Sequence, residues 1–209
     1  MNPKGPVIGP LIIVGAMLEE GNLHKLEKLE VKDSKLLTHE KIFELEKKLK
    51  KILKYHLIKI YPGEIDDVID NQEEMNLNWL EAHKSAEIIN KLNPEKSILD
   101  CPSPNTSRYK EYVGKLVENK DIEIISENKA DFNFVIVSAA SILAKAQRER
   151  EMAKIKKKYG DTGAGYTSDP KTQEFLKNNW NKCPEIFRRS WASWKKYSDE
   201  ANNKKLTDF

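Results

Sequence analysis

SILDCPSPNTSRYKEYVGKLV, residues 97–117, decides how this chain folds. Ser97–Asp100 is a short apolar run closing on an aspartate, with the length and composition of a buried strand. Two prolines stiffen the CPSP loop behind it, a helix is expected over Arg108–Val117, and Ile122–Ser126 reads as the next strand. The alternation continues in both directions. Upstream, Pro10–Leu18 is an apolar, β-branched stretch of strand length, and Leu29–Lys35 reads as a short strand ending in a Lys-Asp-Ser-Lys turn. Thr38 is placed to cap a helix over Glu40–Leu53, with Ile42, Leu45, Leu49 and Ile52 at helical spacing and Lys47, Lys48, Lys50 and Lys51 on its solvated side. Tyr55–Tyr61 alternates as a strand and Asn78–Leu92 is an amphipathic helix. Downstream, Ser138 is predicted to cap a long helix reaching Tyr159, the DTGAGYTSDP loop follows, and two helices close the chain. Strands alternating with helices predict an α/β layered fold with a helical C-terminal portion, divided at 1–160 and 161–209.

Composition sets the outer bounds. A chain of 209 residues, 39% apolar, can bury one core. With 33% charged residues, and no apolar run near the ~18 residues of a membrane span, a membrane partner is not expected. Met1–Pro10 lacks a secretory pattern and two cysteines, Cys101 and Cys183, are too few for a disulfide framework, which points to a reducing cytoplasm. The net charge of +3 is unevenly spread. From Phe132 onward 16 Lys+Arg face 9 Asp+Glu, or +7, which leaves −4 for residues 1–131. A basic C-terminal half suits a polyanion, because lysines and arginines on phosphates release counterions. Solvated lysine-rich helices would give the same excess. His24, His39, His56 and His83 are scattered, so neither a histidine metal site nor a nucleophilic triad is suggested.

Candidate chemistry lies where two segments end. Asp100 closes SILD, and Asp131 closes NKAD just before FVIVSAASILAK enters the long helix. An aspartate at the carboxyl end of a strand is where open α/β sheets place ligands, and paired carboxylates are what hard divalent cations need. The alternative is that both aspartates cap turns.

GPVIGP, VKDSK, NLNWLEAHKSAEIIN, LDCPSP, NKAD with VSAASILAK, GAGYTSDP and RRSW occur here in one order. In that order and over Lys4 to about Trp191, the chain resembles archaeal-type ribonuclease HII. The resemblance implies a ribonuclease H-like fold, a central mixed sheet flanked by helices with a helical C-terminal portion. It implies an endonuclease that cuts the RNA strand of RNA–DNA hybrids, and cuts 5′ of single ribonucleotides in duplex DNA, leaving 3′-hydroxyl and 5′-phosphate ends. Mg²⁺ or Mn²⁺ is the implied cofactor, and Asp100 and Asp131 match two of the family's four metal-binding carboxylates.

The opening MNPKGPVIGP matches the end of a family motif that reads Asp-Glu-Ala-Gly-Arg-Gly. Gly5 falls on its last glycine, Lys4 on the arginine, Pro3 on the first glycine, Asn2 on the alanine and Met1 on the glutamate. The expectation is therefore of a chain without the first strand and two metal-binding carboxylates, impaired as a catalyst. A start codon called too late, a decayed gene fragment, or a non-catalytic binder of hybrids would each account for it. Family members read the ribose 2′-hydroxyl with the backbone of this turn, where Pro3 has no N–H to offer.

Further residues carry over by the same resemblance. Tyr166 matches the tyrosine that stacks on the sugar beyond the ribonucleotide; the alternative is a ring packed beneath its own loop. Ser34 and Lys35 match a phosphate-contacting turn, with Leu36 where a second lysine is usual. Lys145 faces either the scissile region or a surface ion pair. Arg188 and Arg189 suit backbone phosphates, while Trp191 and Trp194 read as core. The implied partners are RNA–DNA hybrid and ribonucleotide-containing duplex DNA, bound by a monomer. The tail NKKLTDF resembles the motif by which replication proteins dock onto the sliding clamp, with Leu206 and Phe209 as its anchors; the alternative is a frayed terminus.

Overall fold

The computed structural model describes residues 5–29, 31, 37–71 and 75–207, with side chains at 71 and 201–207 left aside. In chain order the elements are β1 (Leu11–Met17), α1 (His24–Glu27), α2 (His39–Ile52), β2 (Lys54–Ile60), α3 (Pro62–Asn71), α4 (Leu77–Leu92), β3 (Lys96–Asp100), α5 (Thr106–Leu116), β4 (Glu123–Glu127), α6 (Ala130–Asn133), α7 (Val135–Tyr159), α8 (Pro170–Asn179) and α9 (Ala192–Thr207), with 3-10 turns at Glu20–Asn22 and Pro184–Ile186. Strands alternate with helices, as the α/β reading expects. Among the described residues the strands form two two-stranded sheets, β1–β2 and β3–β4. The β3–β4 pair is parallel and runs from Lys96 opposite Glu123 to Asp100 opposite Glu127. A parallel pair needs a crossover helix, and α5 is that helix.

Local chemistry accounts for most boundaries. Thr38 accepts from the amide of Lys41 at 3.3 Å and starts α2, and Asn105 accepts from Arg108 at 2.9 Å and starts α5. Ser138 departs from expectation. It does not cap α7, which begins three residues earlier; its hydroxyl donates instead to the carbonyl of Asp131. Helix α3 was not legible in the sequence. Most of the strand expected over 29–35 lies outside the described residues.

The chain divides into two compact units. One comprises Ile12–Ile58 and Asn78–Gln147. It holds a cluster in which Ile42, Leu45 and Leu49 of α2 pack with Ala139, Ile142, Leu143 and Ala146 of α7. A second cluster joins Ala82, Ala86 and Ile89 of α4 to Leu99, Tyr109, Val113 and Ile124. Glu46 sits on the buried stripe of α2 and pairs with Lys50 at 2.8 Å. Gly15 in β1 meets α4 so closely that a Cβ there would run into Cγ2 of Ile88.

The other unit comprises Met1–Leu11, Lys59–Leu77 and Arg148–Phe209. Its loop between α7 and α8 is organised by Asp169. That carboxylate accepts from the amides of Ala164 at 2.6 Å and Lys171 at 3.0 Å, so it starts α8 and ties down the preceding turn. Thr172 adds a hydroxyl that accepts from the amide of Gly165 and donates to the carbonyl of Thr162, each at 2.9 Å. The amide of Ala164 foremost, with that of Lys171, holds the Asp169 carboxyl below the ordinary carboxylate range.

Two predictions follow from this packing. Gly15→Ala overfills the β1–α4 contact and lowers stability by about 1–3 kcal/mol in chemical denaturation; unchanged stability would show that Ile88 yields freely. Asp169→Asn lowers the hydrogen-exchange protection of the Ala164 and Gly165 amides at neutral pH. Because the folded carboxyl titrates below its unfolded value of about 3.9, its contribution is complete above that value and is lost as pH falls through the folded one. Wild-type protection at these amides therefore declines only below about pH 4, whereas loss of protection near pH 6 would assign the loop to another group.

Candidate active site

Asp100 and Asp131 are brought together by backbone geometry. Asp100 is the last residue of β3, and its Oδ1 accepts from the amide of Ala130 at 3.1 Å, one residue before Asp131. Lys129 makes this possible by adopting the left-handed conformation, φ 59°, which turns the chain from β4 into the short helix α6. Three further bonds lock the two loops. The amide of Cys101 donates to the carbonyl of Glu127 at 2.8 Å, and the Asn128 side chain donates to the carbonyls of Cys101 and Ser103, both at 2.8 Å. The Ser138 hydroxyl then ties the backbone of Asp131 to α7. Asp100 is exposed and Asp131 half-buried. Both are hard oxygen donors of the kind Mg²⁺ and Mn²⁺ take. Among the described residues, no three His, Cys, Asp or Glu gather closely enough to hold an ion.

In the other unit, Gly5–Pro10 is a turn held from two sides. The amides of Val7 and Ile8 both donate to the carbonyl of Gly165, at 2.8 and 3.2 Å. On the opposite side Ile8 bridges Phe187 in antiparallel fashion, the amide of Gly9 donates to Ile186 at 2.9 Å, and that of Arg188 donates to Val7 at 2.9 Å. Val7 and Ile8 are fully buried, whereas Gly5, at φ 128°, stands exposed. Gly9 must be glycine twice over: its φ is 87°, and a Cβ would lie 2.9 Å from Sδ of Met152.

Tyr166 follows Gly165 directly and is 42% exposed. The Arg148 guanidinium lies 5.0 Å from its ring centroid, and Arg148 Nη2 donates to the carbonyl of Ala164 at 2.9 Å. One arginine thus supports both the tyrosine ring and its loop by cation–π contact and hydrogen bond. The ring is presented outward and is not packed beneath its loop.

The remaining expected residues are dispersed. Arg188 is a correction: it is 1% exposed, its Nε donates to the carbonyl of Gly9 at 3.2 Å, and its guanidinium lies 5.0 Å from the Trp191 ring centroid, so it braces the turn from inside. Arg189 is exposed and its Nε reaches Asp66 Oδ2 at 3.3 Å. Trp191 is buried, in line with the core reading, whereas Trp194 is half-buried and donates from Nε1 to the carbonyl of Trp180 at 3.0 Å. Lys145 is half-buried on α7, two turns beyond Ser138 on the same face. Lys4, Ser34, Lys35 and Phe209 lie outside the described residues, and Leu206 is within α9. Asn128, Arg148 and Asp66 were missed. Asn128 opens the NKAD motif, a usable signal, while Arg148 and Asp66 sit in charged helices whose composition marks no single residue.

Known proteins share this arrangement over nearly its whole length. A model of the family described as Ribonuclease HII matches residues 3–194. Ribonuclease HII of Methanobrevibacter smithii is 39% identical over 197 residues, covering 92% of this chain and 93% of that one. The crystal structure of ribonuclease H2 from Pyrococcus horikoshii superposes with a TM-score of 0.86 at 37% identity, covering 95% of this chain and 94% of the other. The ribonuclease HII in a complex with PCNA from Archaeoglobus fulgidus superposes with a TM-score of 0.81 at 35% identity, covering 94% and 91%. No described helix is long and apolar enough to cross a membrane. With a family model matching nearly the whole chain and relatives alike in sequence and in structure, the chain belongs to the ribonuclease HII family, hydrolases of the ribonuclease H class.

Proposed function

We propose that this protein hydrolyses the RNA strand of RNA–DNA hybrids, and the phosphodiester 5′ of ribonucleotides embedded in duplex DNA, with Mg²⁺ or Mn²⁺ held by Asp100 and Asp131. The observation that carries the reading is the bond from the Ala130 amide to Asp100, which fixes the two aspartates to one turn. Bound divalent ions would supply an activated water and stabilise the departing 3′-oxygen. Asp100 and Asp131 offer oxygen donors on a backbone already braced, so little reorganisation is needed when an ion arrives.

In the same reading Gly5 and its turn approach the ribose, Tyr166 stacks on the sugar that follows the ribonucleotide, and Lys4, Ser34, Lys35, Lys145 and Arg189 meet backbone phosphates. Exposure of Gly5 and Tyr166 on rigid supports favours these roles. The enzyme acts in the cytoplasm on replicating or repaired DNA. The PCNA complex of the Archaeoglobus relative supports docking of the tail, through Leu206 and Phe209, onto a sliding clamp.

The test is incubation of the 209-residue protein with a duplex bearing one ribonucleotide, with Mg²⁺ or Mn²⁺. Metal-dependent nicking 5′ of the ribonucleotide is expected, lost by orders of magnitude in Asp100→Asn and Asp131→Asn. Melting temperature should stay level or rise, since one of two neighbouring like charges is gone. Binding without cutting would favour a non-catalytic binder. Tyr166→Ala should lower cutting at single ribonucleotides more than on uniform hybrid, and equal loss on both would count against junction sensing. Deletion of residues 203–209 should abolish clamp binding and spare cleavage; retained binding would remove the tail from the mechanism.

A further inference from the structure

One buried carboxylate of the second unit with a full set of donors lies outside the residues assigned above. Asp66, on α3, is 3% exposed. Its Oδ2 accepts from the amide of Arg189 at 2.9 Å and from Arg189 Nε at 3.3 Å, and its Oδ1 accepts from the amide of Ser190 at 2.9 Å and from Ser190 Oγ at 2.7 Å. A carboxylate buried with four donors is costly to disturb, because removing the acceptor strands two backbone amides in a dry site.

What these bonds hold is the segment that grips the Gly5–Pro10 turn. Immediately before Arg189, Arg188 donates from its amide to Val7 and from Nε to Gly9, and Phe187 bridges Ile8. A shift in residues 189–190 therefore passes to Val7–Gly9 through a single peptide unit. The turn has little slack of its own, since Val7 and Ile8 are also anchored to Gly165.

We propose that Asp66 is a positioning residue for recognition of the ribonucleotide: by fixing Arg189 and Ser190 it sets the height of the Gly5–Pro10 turn against the substrate's ribose. Asp66 touches no substrate itself. The inference rests on the reading that this turn meets the ribose. A cap that only stabilises the fold would change melting and leave selectivity alone.

The experiment measures affinity of the full 209-residue protein for a duplex with one ribonucleotide and for the same duplex in DNA, in Ca²⁺, alongside melting temperature. The ratio of the two affinities reports recognition independently of nonspecific phosphate binding. Asp66→Asn, with one acceptor oxygen where the carboxylate has two, is expected to cut the ratio about tenfold, while any change in the phosphate contact of Arg189 acts on both duplexes alike and cancels in the ratio. Ser190→Ala, which removes one bond of four and is expected to fold, should cut the ratio about two- to threefold. Gly5→Ala alters the turn directly and should abolish discrimination. If Gly5→Ala abolishes it while folded Asp66→Asn keeps it, the positioning role is overturned and the reading of the turn stands. If Asp66→Asn does not fold, an unchanged ratio in Ser190→Ala overturns the role. If Gly5→Ala leaves the ratio intact, or the wild type binds both duplexes equally, the reading of the turn falls and this inference with it.

Discussion

The hydrogen bond from the Ala130 amide to the Asp100 carboxylate is the constraint on which the aspartate pair depends. Its sequence separation is 30 residues, and a parallel strand pair with a crossover helix is needed to close that distance. The bond uses one oxygen of a carboxylate to hold the neighbouring segment, so the residue just before Asp131 is tied directly to Asp100. Asn128 and Ser138 serve the same end, the first by gripping the carbonyls of Cys101 and Ser103 and the second by holding the carbonyl of Asp131 itself. Two acidic groups held at one turn repel each other. The cost is tolerated because Asp100 is exposed, Asp131 is partly so, and the bracing bonds are made by neutral groups.

A different principle builds the turn at Gly5–Pro10. Here the shape is set by backbone, with side chains used as scaffolding. Gly9 and Gly165 take conformations that other residues resist, and their missing Cβ atoms let Arg148 and Met152 approach. Arg188 lies under the turn with its charge spent on internal contacts, and Arg148 supports the ring of Tyr166 while holding its loop. Under the proposed function such rigid support would serve selectivity, since a sugar distinguished by one hydroxyl offers only one or two hydrogen bonds' worth of difference.

Much of this was legible in order. The strand at SILD, the helix begun by Thr38 and the amphipathic Asn78–Leu92 helix follow from period, caps and punctuation, which are properties of neighbours in the chain. The aspartates could be named because one closes the SILD strand and the other closes the NKAD segment, and the tryptophans were read as core from their spacing of three, although Trp191 stands just before α9. Ser138 shows the limit: a good capping residue in a good position was claimed by a carbonyl seven residues away.

By itself, the sequence determined the alternation of strands and helices, the family motifs in their order, and the two aspartates as candidates for metal, because these depend on local propensity and on residue identity. Only the tertiary structure decided that Arg188 is buried, that Asp66 organises Arg189 and Ser190, that Asn128 braces the Asp100 loop and that Arg148 presents Tyr166. These are pairings of polar groups distant in the chain, and such a group's partner is set by which buried donors and acceptors the fold leaves to be satisfied. An arginine reads the same in a sequence whether it will face a phosphate or a carbonyl; burial, which no window of neighbours reports, makes the choice.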